Sequence, residues 1–167
     1  MVEITNKVAN SKLITINLED YYLEGQRVIF DIKDWLFNNQ VLKEKEFREH
    51  VKSHDWSQFK NKYVALTCST EAIIPGWAYI LITIELAPFA KKIAVGSLED
   101  LETILYAETI HSTDFSDLKN GMLIIKGCSK KPVPPNAYLL LSQKLQPIAK
   151  SIMYGEACSS VPLYKKK

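Results

Sequence analysis

Ala78-Tyr79-Ile80-Leu81-Ile82-Thr83-Ile84-Glu85-Leu86-Ala87-Pro88-Phe89-Ala90-Lys91-Lys92-Ile93-Ala94-Val95-Gly96 reads as a buried helix followed by a short apolar strand that ends in glycine. The stretch can be laid over residues 137–155 at a constant offset of 59, and nine of its nineteen positions are then identical. These are Ala78/Ala137, Tyr79/Tyr138, Leu81/Leu140, Leu86/Leu145, Pro88/Pro147, Ala90/Ala149, Lys91/Lys150, Ile93/Ile152 and Gly96/Gly155. Upstream, Cys68-Ser69 matches Cys128-Ser129 at an offset of 60, so the stretch from the cysteine to the helix is one residue shorter in the second copy. An internal repeat follows, in residues 61–97 and 120–156: a strand ending in Cys-Ser, a loop with proline, a helix, and a second strand ending in glycine.

Working outward, Tyr63-Val64-Ala65-Leu66-Thr67, Ile93-Ala94-Val95 and Met122-Leu123-Ile124-Ile125 are apolar runs with no polar face, as parallel strands covered on both sides require. Ser151-Ile152-Met153-Tyr154 supplies a fourth. Ser97 can cap a helix with Asp100 three residues on, placing Leu98, Leu101 and Leu105 on one face. His111, near the end of that helix, is expected to meet its last carbonyls as a cation. The alternation of strand and helix predicts an α/β fold with a mostly parallel sheet in three layers.

Residues 1–60 read differently. Leu13-Ile14-Thr15-Ile16-Asn17-Leu18 and Arg27-Val28-Ile29-Phe30-Asp31-Ile32 are strand-like, and Glu24-Gly25 between them offers a turn, which predicts an N-terminal antiparallel strand pair. From about Lys43 to His54, Phe47 and Val51 lie four apart in a charged background, the pattern of a surface helix. Trp35 and Trp56 are expected to anchor its edges, and Trp77 and Tyr79 to lie in the core.

The whole chain, residues 1–167, reads as a single domain. At 47% hydrophobic and 24% charged it can bury one sizeable core. Lys+Arg 21 against Asp+Glu 19 leaves a net charge of +2 with no basic stripe, so nucleic acid is not expected as a partner. The opening residues lack a secretory pattern, and the longest apolar run, around residues 78–84, is too short to cross a bilayer. A cytoplasmic location with no membrane partner is the expectation.

Three cysteines, an odd number without Cys-x-x-Cys or zinc-finger spacing, argue against a disulfide framework and carry no short metal motif. Their places in the expected fold are more informative. In an open parallel sheet the loops leaving the carboxyl ends of the strands share one edge, and Cys68, Cys128 and Cys158 each follow such a strand. Cys68 and Cys128 are expected just before helix starts, where the dipole favours thiolate, and Lys126, Lys130 and Lys131 favour it further at Cys128. Two readings stand: a three-thiolate site for zinc, iron or an iron–sulfur cluster, or small buried hydrophobes in the core. His50 and His54, with Glu46 one turn earlier, could form a His-His-carboxylate site, although a solvated helix face is the commoner reason for that spacing.

The segments Phe30-Asp31-Ile32-Lys33-Asp34-Trp35-Leu36, residues 47–57, Tyr63-Val64-Ala65-Leu66-Thr67-Cys68, Lys126-Gly127-Cys128 and residues 155–165 resemble the bacterial domain of unknown function 2480 family over essentially the full length. That resemblance implies no established activity and carries over no catalytic assignment. It implies encoding near iron–sulfur assembly genes of the sulfur-mobilisation type, and hence an iron–sulfur assembly component as partner. Three functions are therefore expected in competition. One is metal or iron–sulfur handling at Cys68, Cys128 and Cys158, and a close relative is sulfur transfer with Cys128 as nucleophile and persulfide carrier. The third is a non-enzymatic binding or scaffold protein with structural cysteines, docking a partner through the tail Val161-Pro162-Leu163-Tyr164-Lys165-Lys166-Lys167.

Overall fold

The computed structural model describes residues 12–127 and 130–167. Among them the order is β1 (Leu13–Ile16), β2 (Arg27–Asp31), α1 (Glu44–Ser53), β3 (Tyr63–Thr67), α2 (Gly76–Leu86), β4 (Lys92–Val95), α3 (Leu98–Ser112), β5 (Met122–Ile125), α4 (Pro135–Leu145), β6 (Ser151–Glu156) and β7 (Ser159–Lys165). The fold is mixed α/β, with four α-helices and two mostly parallel sheets. The chain divides into two compact units, one of residues 1–22 and 105–167 and the other of residues 23–104, and the division falls inside α3.

In the unit of residues 23–104 the sheet order is β2-β3-β4, all parallel, with Arg27 opposite Tyr63 and Tyr63 opposite Lys92. One face of this sheet carries Val28, Phe30, Val64 and Leu66, which pack against Phe47 and Val51 of α1 and Ala78, Ile82 and Leu86 of α2. Phe47 and Val51 are the residues of α1 that are buried, as their four-residue spacing predicts. On the other face Arg27 Nε donates to Glu102 Oε1 of α3 at 2.5 Å, and its guanidinium lies 4.8 Å from the Tyr63 ring. The start of α3 is the expected capping box: Ser97 Oγ accepts from Asp100 N at 3.1 Å while Asp100 Oδ2 accepts from Ser97 N at 2.7 Å. Leu101 and Leu105 are buried, whereas Leu98 is exposed at the first turn.

In the other unit the order is β1-β5-β6-β7, parallel except for β7, which runs antiparallel to β6 through a bulge at Ile152/Met153. Its core joins Ile16, Leu123, Ile125 and Ile152 of the strands to Ala137, Leu141 and Leu145 of α4. Pro162 sits on the edge strand β7, where a missing N–H is tolerated.

Several expectations are corrected. β1 and β2 are not an antiparallel pair: β1 pairs in parallel with β5, and β2 with β3. The cause is local, because the chain coils instead of turning back after each strand. Asn17 accepts from Glu19 N at 3.1 Å and caps a 3-10 helix (Leu18–Tyr21), and Asp31 accepts from Lys33 N at 3.0 Å and caps another (Ile32–Trp35). The parallel strands do not share one sheet either, since β3–β4 and β5–β6 belong to different sheets. Residues 161–165 of the expected docking tail form most of strand β7. Finally, the cation at the end of α3 is Lys144 of α4, whose Nζ donates to the carbonyl oxygens of Ile110, His111 and Thr113 at 2.8, 2.7 and 3.0 Å, and His111 itself is exposed.

Candidate functional site

The carboxyl end of the β2-β3-β4 sheet gathers polar groups around Asp31. Its Oδ1 accepts from Lys33 N and, across the strand pair, from Ser69 N at 3.1 Å. Burial pushes the Asp31 carboxyl up, but the hydrogen bonds from Ser69 and from the backbone, with Lys33 nearby, outweigh it and hold the group below its ordinary value. A carboxylate so engaged anchors the loop after β3 and is poorly disposed to take a proton from a substrate.

Cys68 lies just beyond β3, half-buried against the core, with Sγ 3.3 Å from Thr70 Oγ1. Burial raises the Tyr79 phenol above its ordinary value, and the neighbouring Cys68 adds to the shift. The expected helix start after Cys68 is corrected: the chain bends at Ser69–Glu71, where Asp31 Oδ1 accepts from Ser69 N, and α2 begins only at Gly76. The loop after β5 is strapped similarly, with Glu19 Oε1 accepting from the backbone N–H groups of Lys130 and Lys131.

Cys68 and Cys158 stand at the ends of different sheets, Cys68 after β3 and Cys158 exposed in the turn between β6 and β7. Cys128 lies outside the described residues. The strands before Cys68 and Cys128 belong to separate sheets, so no single sheet edge carries all three thiols. Among the described residues no group of three or more His, Cys, Asp or Glu side chains is placed to hold a metal ion.

His50 and His54 are taken up by aromatic packing. The His50 ring stacks on Trp35 at 5.5 Å and 12°, and the His54 ring meets Trp35, Phe30 and Trp56 at 5.3, 5.5 and 4.7 Å. Burial pushes the His54 imidazole below its ordinary value against the pull of Asp55. Trp56 Nε1 donates to Val51 O at 2.9 Å and so closes the end of α1, as its anchoring role predicts.

The feature that sequence reasoning missed is a tight hairpin. Phe37 and Val41 form a two-way backbone bridge, at 2.8 and 3.1 Å, around Asn38 and Asn39, whose φ angles of 50° and 56° are left-handed. Two consecutive asparagines between apolar residues were the available signal. The hairpin holds Phe37 and Val41 out in water, and Lys43 Nζ lies 3.4 Å from the centre of the Phe37 ring. Facing it is the loop after β3, where Ile73 is 91% exposed. Between them runs a groove of 710 Å³ lined by Val41, Leu42, Glu44, Glu71, Ile73, Pro75 and Trp77. It shares Gln40, Glu71 and Ala72 with a hollow of 450 Å³ that Asn38, Asn39 and Thr70 also line. A lining that mixes apolar side chains with amide and carboxylate groups suits an extended peptide, which offers both side chains and backbone hydrogen-bonding groups.

The model of one family, described as "Protein of unknown function (DUF2480)", matches residues 2–166. No curated protein and no solved structure matches the chain. No helix among the described residues is long and apolar enough to cross a membrane.

Proposed function

We propose that this chain, which belongs to the domain of unknown function 2480 family, is a non-enzymatic binding protein that seats an apolar segment of a protein partner between the Phe37/Val41 hairpin and the loop carrying Ile73. The observation behind this reading is the outward display of large apolar side chains on a backbone already locked by its own hydrogen bonds. A pre-ordered hairpin gives up little entropy on binding, and large apolar side chains among polar groups are a usual make-up of a recognition surface. The test is selection of peptides from a displayed random library on the full chain. Val41→Asp and Ile73→Asp should each weaken the selected peptides by about 1–3 kcal/mol, the range for a central anchor, with thermal stability unchanged. Equal binding by the doubly substituted chain would sink the proposal.

A second reading keeps the thiols, and one observation favours it. β5 and β6 are parallel neighbours, so the chain leaving β5 toward Cys128 and the hairpin carrying Cys158 depart from the same end of one sheet. In this reading Cys128 and Cys158, with Cys68 or a partner's group, hold zinc, iron or an iron–sulfur cluster in the cytoplasm alongside an iron–sulfur assembly component. Its sulfur-transfer form makes Cys128 the nucleophile. Stoichiometric metal in protein purified without oxygen and without chelators, lost in Cys128→Ser, supports it; absence of metal together with thiols silent to alkylation in the folded state removes it.

Two finer features of the fold belong to the same proposal. We read residues 61–97 and 120–156 as a strand-helix-strand repeat, supported by pairings that keep the offset of 59: Tyr63 with Lys92, and Met122 with Ser151. The buried residues of α2 and α4 keep it too: Ala78, Ile82 and Leu86 against Ala137, Leu141 and Leu145. The three-layer reading is supported in the unit of residues 23–104, where α1 and α2 pack on one face of the sheet and Glu102 of α3 reaches Arg27 on the other.

A further inference from the structure

We infer that the amino edge of the β1-β5-β6-β7 sheet is a docking site for an acidic segment of a protein partner. From Lys119 onward the chain carries nine lysines, no arginine and one acidic residue, Glu156, so the total charge of +2 covers a basic final stretch and a net acidic remainder. The sheet topology concentrates that charge. β1, β5 and β6 are parallel and β7 runs against them, so the amino ends of the first three strands and the carboxyl end of the fourth share one edge. Lys12 immediately precedes β1, Lys119 lies in the turn before β5, Lys150 immediately precedes β6, Lys165 ends β7, and Lys166 and Lys167 follow it. Backbone bonds tie these segments side by side: Lys150 N donates to Gly121 O at 2.9 Å, and Lys150 O accepts from Lys166 N at 2.9 Å. Along the chain no stripe is visible, because four separate segments supply it. Across the sheet, strands about 4.8 Å apart gather these lysines into a strip about 15 Å long.

The charges of the strip are not spent inside the molecule. All of these lysines are exposed, and among the described residues none is held in an ion pair, not even by Asp117 in the turn before Lys119. Neighbouring ammonium groups on adjacent strands lie within the screening length of about 8 Å at physiological salt, so the strip acts as one field whose complement is a run of negative charge.

The adjoining surface says which polyanion fits. A hollow of 410 Å³ next to this edge is lined by Ile152, Leu163 and Tyr164 together with Ser142, Gln143 and Gln146. Ile152 and Tyr164 are opposite one another, one step in from Ser151 and Lys165, and Leu163 is 59% exposed. Such a hollow takes an apolar side chain, and the glutamine amides beside it match the backbone N–H and C=O groups of a peptide. An acyl chain would leave those amides unpaired. Nucleic acid is read by arginine forks and exposed aromatic rings, whereas the cations of this edge are all lysines and Tyr164 packs against the core. The occupant is therefore a segment whose carboxylates run along the strip and whose apolar residue enters the hollow. The site uses no residue of the hairpin groove and stands independently of that reading.

The test is fluorescence anisotropy of a labelled glutamate-rich peptide with one central leucine, titrated with the full chain. The peptide should bind at low salt and weaken steadily as salt rises. Lys150→Glu and Lys166→Glu should each weaken it by about tenfold or more, with circular dichroism and melting unchanged. Lys45→Glu, the same change of net charge on exposed α1, should leave binding as it was, which a response to total charge alone would not do. Leu163→Ser should weaken the leucine-bearing peptide and spare the weaker binding of an all-glutamate one, separating the hollow from the lysines. Failure of the peptide to bind overturns the inference, as does binding indifferent to Lys150→Glu and Lys166→Glu. Tighter binding of phosphatidylserine vesicles or of a single-stranded DNA oligonucleotide than of the peptide also overturns it, and gives the strip to a membrane surface or to nucleic acid.

Discussion

Lys144 Nζ donates to the carbonyl oxygen of His111 across 2.7 Å and shares itself with Ile110 and Thr113. A lysine on one helix thus closes the open end of another, where unpaired carbonyls and the negative end of the dipole favour a cation. Lys144→Met keeps the aliphatic stem and removes the donor. It should cost about 1–3 kcal/mol, the range for losing hydrogen bonds to a charged group, read as a lower urea midpoint with an unchanged slope. Loss below about 0.3 kcal/mol would show that water replaces the ammonium at no cost.

Arg27 and Glu102 are 10% and 7% exposed in their side chains and bridge at 2.5 Å. Removing one partner strands a charge, so Glu102→Ala should destabilise by about 3–5 kcal/mol. The double replacement Arg27→Met with Glu102→Leu should recover most of that loss, because the burial penalty of both charges then disappears. Chemical denaturation of the three variants gives the comparison, and a double variant no better than the single one contradicts it.

The His54 imidazole is held below its ordinary value of 6.5, chiefly by burial among aromatic rings. The folded protein therefore binds fewer protons at this site than the unfolded chain. The stabilising contribution is complete above about pH 6.5 and is lost as the pH falls from there through the lowered folded value. Urea midpoints measured from about pH 7 down to about pH 5 should decline, and His54→Phe should flatten that decline. An unchanged slope in the variant would place the pH dependence elsewhere.

Gly155 has φ +119°, and a Cβ there would press on the backbone carbonyl oxygen of Ser159, whereas Gly76 has nothing within 4 Å. Gly155→Ala should destabilise by more than about 1 kcal/mol, while Gly76→Ala at the start of α2 should be neutral or add about 0.4–1 kcal/mol. Melting temperatures of the two variants should move apart.

How much of this was legible depended on how far each cause lies along the chain. Phe47 and Val51 announce α1 because their period is local, and Ser97 with Asp100 announces the start of α3 for the same reason. The apolar runs at Tyr63, Ile93, Met122 and Ser151 mark strands correctly, but nothing local says which strand each will choose. Glu24-Gly25 has the composition of a hairpin turn and is not one, since Leu18 is buried in a coiled turn and β1 seeks β5 instead. Lys144 gives no sign of its role because the carbonyls it meets belong to another helix. The candidate groove was missed because a single exposed Ile73 is indistinguishable in sequence from a buried one. The thiol argument rested on one shared sheet, and with two sheets its geometry no longer follows for Cys68.

The division of the chain has a consequence for the order of synthesis. Residues 23–104 form a unit that is continuous in sequence, while the other unit joins β1 to strands that begin at Met122. On the ribosome the β2-β3-β4 sheet has all its strands once Val95 has emerged, with β1 still waiting for its first partner. Nascent chains halted once residue 104 has cleared the ribosome should then already protect α1 and α2 from protease, leaving Leu13-Ile14-Thr15-Ile16 open to cleavage until β5 arrives.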